Sequence, residues 1–288
     1  MRVVRTVSEV RAALRAARRQ ERTIGLVPTM GAFHDGHLSL VRRARETCDV
    51  VVASLFVNPA QFDDGSDLAG YPRDERRDAA LAAEAGVDLL FAPSAEEVYP
   101  PGFATEVQVT GLTEPLEGEA RGRGHFHGVT TVVTKLFNIV GPDAAFFGQK
   151  DAQQALVVRR LVRDLDLPVR IEVCPTIRES DGLAMSSRNV LLGAADRERA
   201  VALSRALRAA EEAVAAGERD ASALLDRART AMSSQGIEPE YLELVSTTTL
   251  DPVPRVDGDA LLAVAARVGP ARLIDNTVLH TNGRPTST

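Results

Sequence analysis

The sequence predicts an α/β protein in which a doubly wound, mostly parallel sheet is followed by a smaller C-terminal α+β domain. Two observations carry this. Up to about residue 175, short apolar runs alternate with stretches of helical periodicity, the order that builds a parallel sheet. After Asn189 the texture changes to Ala- and Arg-rich helical stretches and then three strand-like runs, the order of an α+β domain. The expected domains are residues 1–176 and 177–288, two modest domains suiting a chain of this length.

Thr6 followed by Glu9 fits a capping box that opens a helix to about residue 20. Residues 23–28 then read as a short apolar strand stopped by proline, and residues 50–57 as the next strand. Between them Leu38, Val41 and Ala44 recur at helical spacing, so residues 36–48 are the helix of a β-loop-α-β unit. A charged helix near 74–85, a strand at 87–92, a helix about 128–140 and a strand at 144–147 follow. A helix at 151–164 and a strand at 169–175 complete the alternation. The second domain should hold helices at 194–216 and 221–233 and strands at 241–245, 261–268 and 272–278, with a frayed tail from Asn282.

The chain is 44% hydrophobic and 26% charged, with no apolar run that approaches the roughly 20 residues of a membrane span. Its first residues carry no export signal, and Cys48 and Cys174 stand far apart. Reduced thiols in a cytoplasmic protein are therefore expected. A net charge of -6 argues against a general nucleic-acid binder. The five arginines between Arg11 and Arg22 interleave with Ala and Leu, which reads as a solvated helix face, with a basic RNA-binding helix as the alternative.

Chemistry is expected where strands end and helices begin. His34-Asp35-Gly36-His37 stands at a helix entrance after the tight turn Pro28-Thr29-Met30-Gly31. Two imidazoles and unpaired backbone N–H groups there would suit a phosphate; read alone, a capped turn with two exposed histidines fits as well. Phe146-Phe147-Gly148-Gln149-Lys150-Asp151 puts a lysine, a natural phosphate partner, at the same sheet edge. In residues 182–189, Ser186, Ser187 and Arg188 can hold the phosphates that leave as pyrophosphate. Gln61, Gln153 and Gln154 offer amides to a small polar acid, and His125 can reach its carboxylate, whereas His127 reads as a solvated neighbour. The five histidines and two cysteines form no zinc pattern. Any metal should be Mg²⁺ on nucleotide phosphates, assisted by a carboxylate such as Asp78.

Taken in order, residues 28–37, 56–62, 71–73, 125–126, 146–151 and 181–189 resemble the pantothenate synthetase (pantoate–β-alanine ligase) family. The resemblance runs from about residue 20 to residue 280. It implies a Rossmann-like nucleotidyltransferase domain, with a histidine motif akin to that of class I aminoacyl-tRNA synthetases, and a homodimer. It also implies a two-step reaction. Pantoate and ATP give pantoyl adenylate and pyrophosphate, and β-alanine then displaces AMP to give pantothenate. By the same resemblance ATP is lined by Met30, Gly31, Ala32, Phe33, His34, Asp35, Gly36 and His37, with His37 at the proton-donor position. Gly148, Gln149, Lys150, Asp151, Ile177, Met185, Ser186, Ser187 and Arg188 complete that site. Gln61 and Gln154 hold pantoate, and Gln61 also faces β-alanine.

Three positions depart from the family pattern. Ala60 replaces a frequent Met, which should loosen one wall of the acid pocket, and Gln149 replaces a frequent Glu beside the lysine. Gly122 stands where an Arg is usual, leaving Arg121 or Arg123 as substitutes. The competing readings are an adenylyltransferase acting on a phosphate-bearing acceptor, and a silent nucleotide-binding or RNA-interacting module.

Overall fold

The computed structural model describes residues 1–62 and 65–281, apart from the side chains of residues 65–67 and Arg123. The chain forms two compact units: residues 1–148 with 153–174, and residues 149–152 with 175–288. The tail expected to fray from Asn282 lies outside the described residues.

The first unit opens with β1 (Arg2–Val4) and α1 (Val7–Arg19), followed by β2 (Ile24–Thr29), α2 (Asp35–Thr47) and β3 (Val50–Leu55). Next come α3 (Gly65–Gly70), α4 (Glu75–Ala85), β4 (Leu89–Phe91), α5 (Ala95–Val98), α6 (Glu117–Arg121) and α7 (Arg123–Val140). β5 (Ala144–Gly148), α8 (Ala152–Asp164) and β6 (Arg170–Cys174) close the alternation. The six strands lie parallel in the order β1-β4-β3-β2-β5-β6. The predicted doubly wound sheet is therefore present, and strand order reverses between β2 and β5. In such sheets that is the point where the carboxyl ends of two strands leave a crevice for ligand. Val27, Val51 and Phe146 of the strands bury themselves against Leu38, Val41 and Ala44 of α2, so the helix behind the histidine motif is anchored by its apolar stripe.

The capping box of α1 forms as expected, with Thr6 Oγ1 accepting from Glu9 N–H at 3.2 Å and Glu9 Oε2 accepting from Thr6 N–H at 2.9 Å. On the same helix Arg18 donates to the Val140 carbonyl at the end of α7. α7 begins at Arg123, several residues before the expected start. Gly128 reads as a helix boundary in sequence but sits inside the helix, for a packing reason given below.

The second unit contains α9 (Ala194–Ala200), α10 (Ala202–Ala215) and α11 (Ala221–Ser233), then β7 (Pro239–Ser246), β8 (Ala260–Val268) and β9 (Ala271–Leu279). The three strands form an antiparallel sheet in the order β7-β8-β9. Leu203, Leu207 and Leu224 pack on Leu262, Val264 and Leu273 of that sheet. The single helix expected over residues 194–216 is interrupted at Val201. There the Val201 carbonyl accepts from both Ser204 Oγ at 3.0 Å and Arg205 N–H at 3.1 Å.

Candidate active site

The turn after β2 is built from two consecutive left-handed residues, Gly31 at φ +89° and Ala32 at φ +51°. Gly31 has no substitute here, because a Cβ would lie 2.6 Å from Leu55 Cδ1 and 2.9 Å from Asp78 Oδ2. The turn delivers His34 to the N-cap of α2, where its Nδ1 accepts from Gly36 N–H at 3.2 Å. That bond assigns the proton of a neutral His34 ring to Nε2. The His34 and His37 rings stand 4.1 Å apart, and His37 lies 5.6 Å from the buried Phe33 ring. Two of the N–H groups in this turn have partners: Gly36 N–H goes to His34 Nδ1, and His37 N–H goes to the His34 carbonyl at 2.9 Å.

Asp78, the expected assisting carboxylate for Mg²⁺, makes its contacts with the histidine turn. It is 1% exposed, in the first turn of α4. Its Oδ2 accepts from Ala32 N–H and its Oδ1 from Phe33 N–H, each at 2.8 Å.

Past β3, buried Asn58 organises the acid-binding candidates. Its Nδ2 donates to Gln61 Oε1 at 3.0 Å and to the Gly128 carbonyl at 3.1 Å, while Tyr99 OH donates to its Oδ1 at 2.8 Å. The bond to a carbonyl fixes which end of the Asn58 amide is NH₂, and with it the Gln61 amide, whose Nε2 lies 3.2 Å from Met30 Sδ. Burial pushes the Tyr99 hydroxyl up to about 12, against the opposing bond to Asn58, so it stays a protonated donor. His125 Nδ1 donates to the Gln61 carbonyl at 2.9 Å, which leaves Nε2 of the neutral ring as an acceptor. Gly128 of α7 lets the Pro59–Gln61 turn approach: a Cβ there would sit 2.2 Å from the Ala60 carbonyl oxygen. Tyr71 packs edge-on against Phe62 with centroids 5.9 Å apart, and Arg73 donates to the Leu68 carbonyl at 2.8 Å.

Of the two α8 glutamines, Gln153 is withdrawn from substrate binding. Its Nε2 donates to the Leu112 and Pro115 carbonyls at 2.8 Å, and its Oε1 accepts from Glu117 N–H at 3.0 Å. Gln154 is half-buried on the same helix.

In the second unit Lys150 lies in the helical turn Gln149–Asp151 with its Nζ 3.5 Å from Asp151 Oδ1. Asn276 of β9 holds this turn, donating to the Gln149 carbonyl at 3.0 Å and the Lys150 carbonyl at 2.8 Å. Gln149 Nε2 donates back to Asn276 Oδ1 at 2.9 Å. The neighbouring Asp275, fully buried, pairs with Arg178 through two bonds of 2.6 and 3.0 Å, and Arg178 also donates to the Gly182 carbonyl at 3.1 Å. Two adjacent residues of one strand thus hold both phosphate-binding candidates of this unit. In the Ser186 loop, Ser186 Oγ accepts from Arg188 N–H at 3.2 Å and Met185 N–H donates to the Ile177 carbonyl at 2.9 Å. Arg197 braces the loop by donating to Glu179 at 2.7 Å and to Asp181 at 2.8 Å, and Asn189 donates to Glu179 at 2.6 Å. The bonds from Arg197 hold both carboxyls below their usual range.

The sequence matches the family model for pantoate–β-alanine ligase over residues 2–278. The chain belongs to this family. The ligase is 54% identical to the pantothenate synthetase of Pelotomaculum thermopropionicum over 97% of this chain and 99% of that one. It is 53% identical to that of Moorella thermoacetica over 98% and 100%. Among solved structures, that of pantothenate synthetase from Thermus thermophilus is similar with a TM-score of 0.91, 51% identity and coverage of 96% and 99%. The Francisella tularensis pantoate–β-alanine ligase, solved with beta-gamma ATP and β-alanine, has a TM-score of 0.81 and 33% identity, with coverage of 96% and 97%. The adenylyltransferase and silent-module readings fall with this membership.

Gly122 and Ala60, two of the positions expected to depart from the family pattern, have distinct local surroundings. Gly122 takes φ +85° between α6 and α7, a conformation an arginine would strain to adopt. Arg121 is committed to Glu117 at 2.6 Å, and the Arg123 side chain lies outside those described. The Ala60 side chain is exposed, so its contribution is the backbone that meets Gly128. Tyr99, Arg178, Asp275 and Asn276 escaped the sequence reading; the signal for the last two was the polar run Asp275-Asn276-Thr277 in the middle of the strand-like residues 271–279.

Proposed function

We propose that, in the ligase, His34, His37, Lys150, Ser186, Ser187 and Arg188 neutralise the phosphate charge of ATP. Residues 30–37, 148–151, 177 and 185–188 bind the nucleotide. Gln61, Gln154 and His125 hold pantoate, and Gln61 also meets β-alanine. The reading is supported most by the histidine pair, two rings 4.1 Å apart at the N-terminus of a helix, where an anion is favoured.

The ligase joins pantoate to β-alanine through pantoyl adenylate. A carboxylate oxygen of pantoate attacks the α-phosphorus of ATP, and the bond to pyrophosphate breaks. The amine nitrogen of β-alanine then attacks the acyl carbon, AMP leaves with the bridging oxygen, and the nitrogen loses a proton. Neither step needs a nucleophile from the protein, so rate comes from positioning and from donors aimed at developing charge. His34 Nε2–H and Lys150 are such donors. His37, at the family's proton-donor position, would protonate a phosphate oxygen as charge accumulates. His125, accepting at Nε2, suits a pantoate hydroxyl better than its carboxylate.

Mg²⁺ is proposed to arrive on the triphosphate, where it would supply charge neutralisation. Among the described residues no three His, Cys, Asp or Glu side chains gather to hold a metal, and both Asp78 oxygens already accept backbone N–H groups. A homodimer acting in the cytoplasm completes the proposal on family resemblance. No helix among the described residues is long and apolar enough to cross a membrane.

Lys150→Ala tests the residue assignment. Pantoate-dependent exchange of pyrophosphate into ATP should fall about 10²- to 10³-fold with the melting temperature unchanged. Exchange at the wild-type rate would remove Lys150 from the site.

A further inference from the structure

Asp78 stands outside the residues assigned to substrate, yet it is tied to the histidine turn by every polar contact it makes there. Both carboxylate oxygens accept from consecutive N–H groups, those of Ala32 and Phe33, at 2.8 Å. Arg77, its neighbour in α4, donates to the Phe33 carbonyl at 3.3 Å and lies 4.0 Å from Asp78 Oδ1. Phe33, the residue that leads into His34, is thereby gripped at both its N–H and its C=O.

The grip has something to hold. Ala32 sits at φ +51°, a region that costs an L-residue steric energy and persists only where surrounding contacts over-determine it. Gly31 before it is also left-handed and closes directly over Asp78 Oδ2. Phe33 after it is buried and touches the His37 ring, and His34 follows as the helix N-cap. A metal ion does not fit the same carboxylate. It would need oxygens already shared with two N–H groups, in a place 1% exposed, and no cluster of ligands among the described residues surrounds it.

We infer that Asp78 is a positioning residue of the ATP site, setting the left-handed turn that aims His34 and His37, and is not a ligand for Mg²⁺. This rests on the reading that those histidines meet the ATP phosphates.

The test compares the full chain with Asp78→Asn, His34→Ala, His37→Ala and the Asp78→Asn/His34→Ala pair. It measures pantoate-dependent pyrophosphate exchange across ATP and Mg²⁺ concentrations, with melting curves alongside. Asp78→Asn keeps the volume but turns an NH₂ group toward one N–H, and misaiming of this kind costs on the order of 10²-fold in kcat. The expected signature is non-additivity: in the His34→Ala background Asp78→Asn costs much less, because it acts through the histidines. The Mg²⁺ concentration for half-maximal rate stays at the wild-type value. Full additivity, or a several-fold rise in the Mg²⁺ requirement, overturns the inference. Wild-type exchange in both His34→Ala and His37→Ala would instead overturn the histidine reading. Should Asp78→Asn not fold, the nucleotide-free wild type decides. With one equivalent of Mn²⁺, the Ala32 and Phe33 amide resonances should be unchanged, and their selective broadening would place the metal at Asp78.

Discussion

Lys150 can meet a phosphate reproducibly only if its backbone is held, and Asn276 holds it through the carbonyls of Gln149 and Lys150. Asn276→Ala removes three hydrogen bonds at a buried position. Loss of about 1–3 kcal/mol is expected in denaturant unfolding, together with a raised KM for ATP; an unchanged KM would show that the turn keeps its place unaided. His34, His37 and Lys150 stood out as candidates in the sequence because their residue types suit phosphate chemistry and strand-to-helix junctions draw the eye to them. Asn276 and Tyr99 did not. Each acts by fixing another residue, and such roles depend on contacts at separations of 127 and 41 residues that no local pattern records. Asp78 was visible as a carboxylate, but its two backbone partners were not.

At the scale of elements, α7 and the Pro59–Gln61 turn are kept together by the missing side chain of Gly128. In Gly128→Ala the new Cβ would meet Ala60 C at 2.4 Å and Gln61 N at 2.6 Å, so one element must move. Overpacking of this kind costs about 1–3 kcal/mol, and displacement of Gln61 should raise KM for pantoate more than KM for ATP. Equal changes in the two constants would argue against Gln61 as an acid-binding residue. The loop before α9 adds a pH dependence. Because Arg197 depresses the Glu179 and Asp181 carboxyls, their contribution is fully present above the ordinary carboxylate range and is lost as pH falls through the lower folded values. Melting temperatures of wild type and Arg197→Met should therefore differ at about pH 6 and converge towards about pH 3, and a gap that widened on acidification would contradict the assignment. Helix and strand periodicity located most elements of both units. It failed at Val201, where the helix is interrupted within an unbroken helical pattern, and at Gly128, where packing rather than helix ending explains the glycine.

For the whole molecule, six short segments in order carried more information than any one of them, because each histidine, lysine or serine motif alone also fits an ordinary turn. The fold class followed from alternation of elements, and the reversal of strand order between β2 and β5 explains why the histidine turn can be a ligand site. The chemistry that follows is sequential: acid activation first, amine capture second. The most direct measurement is AMP formed from ATP and Mg²⁺ by the purified chain, with pantoate and β-alanine supplied together, singly or not at all. Sustained AMP formation is predicted only with both present, while pantoate alone should support pyrophosphate exchange into ATP. Sustained AMP release with neither acid nor amine would contradict the account.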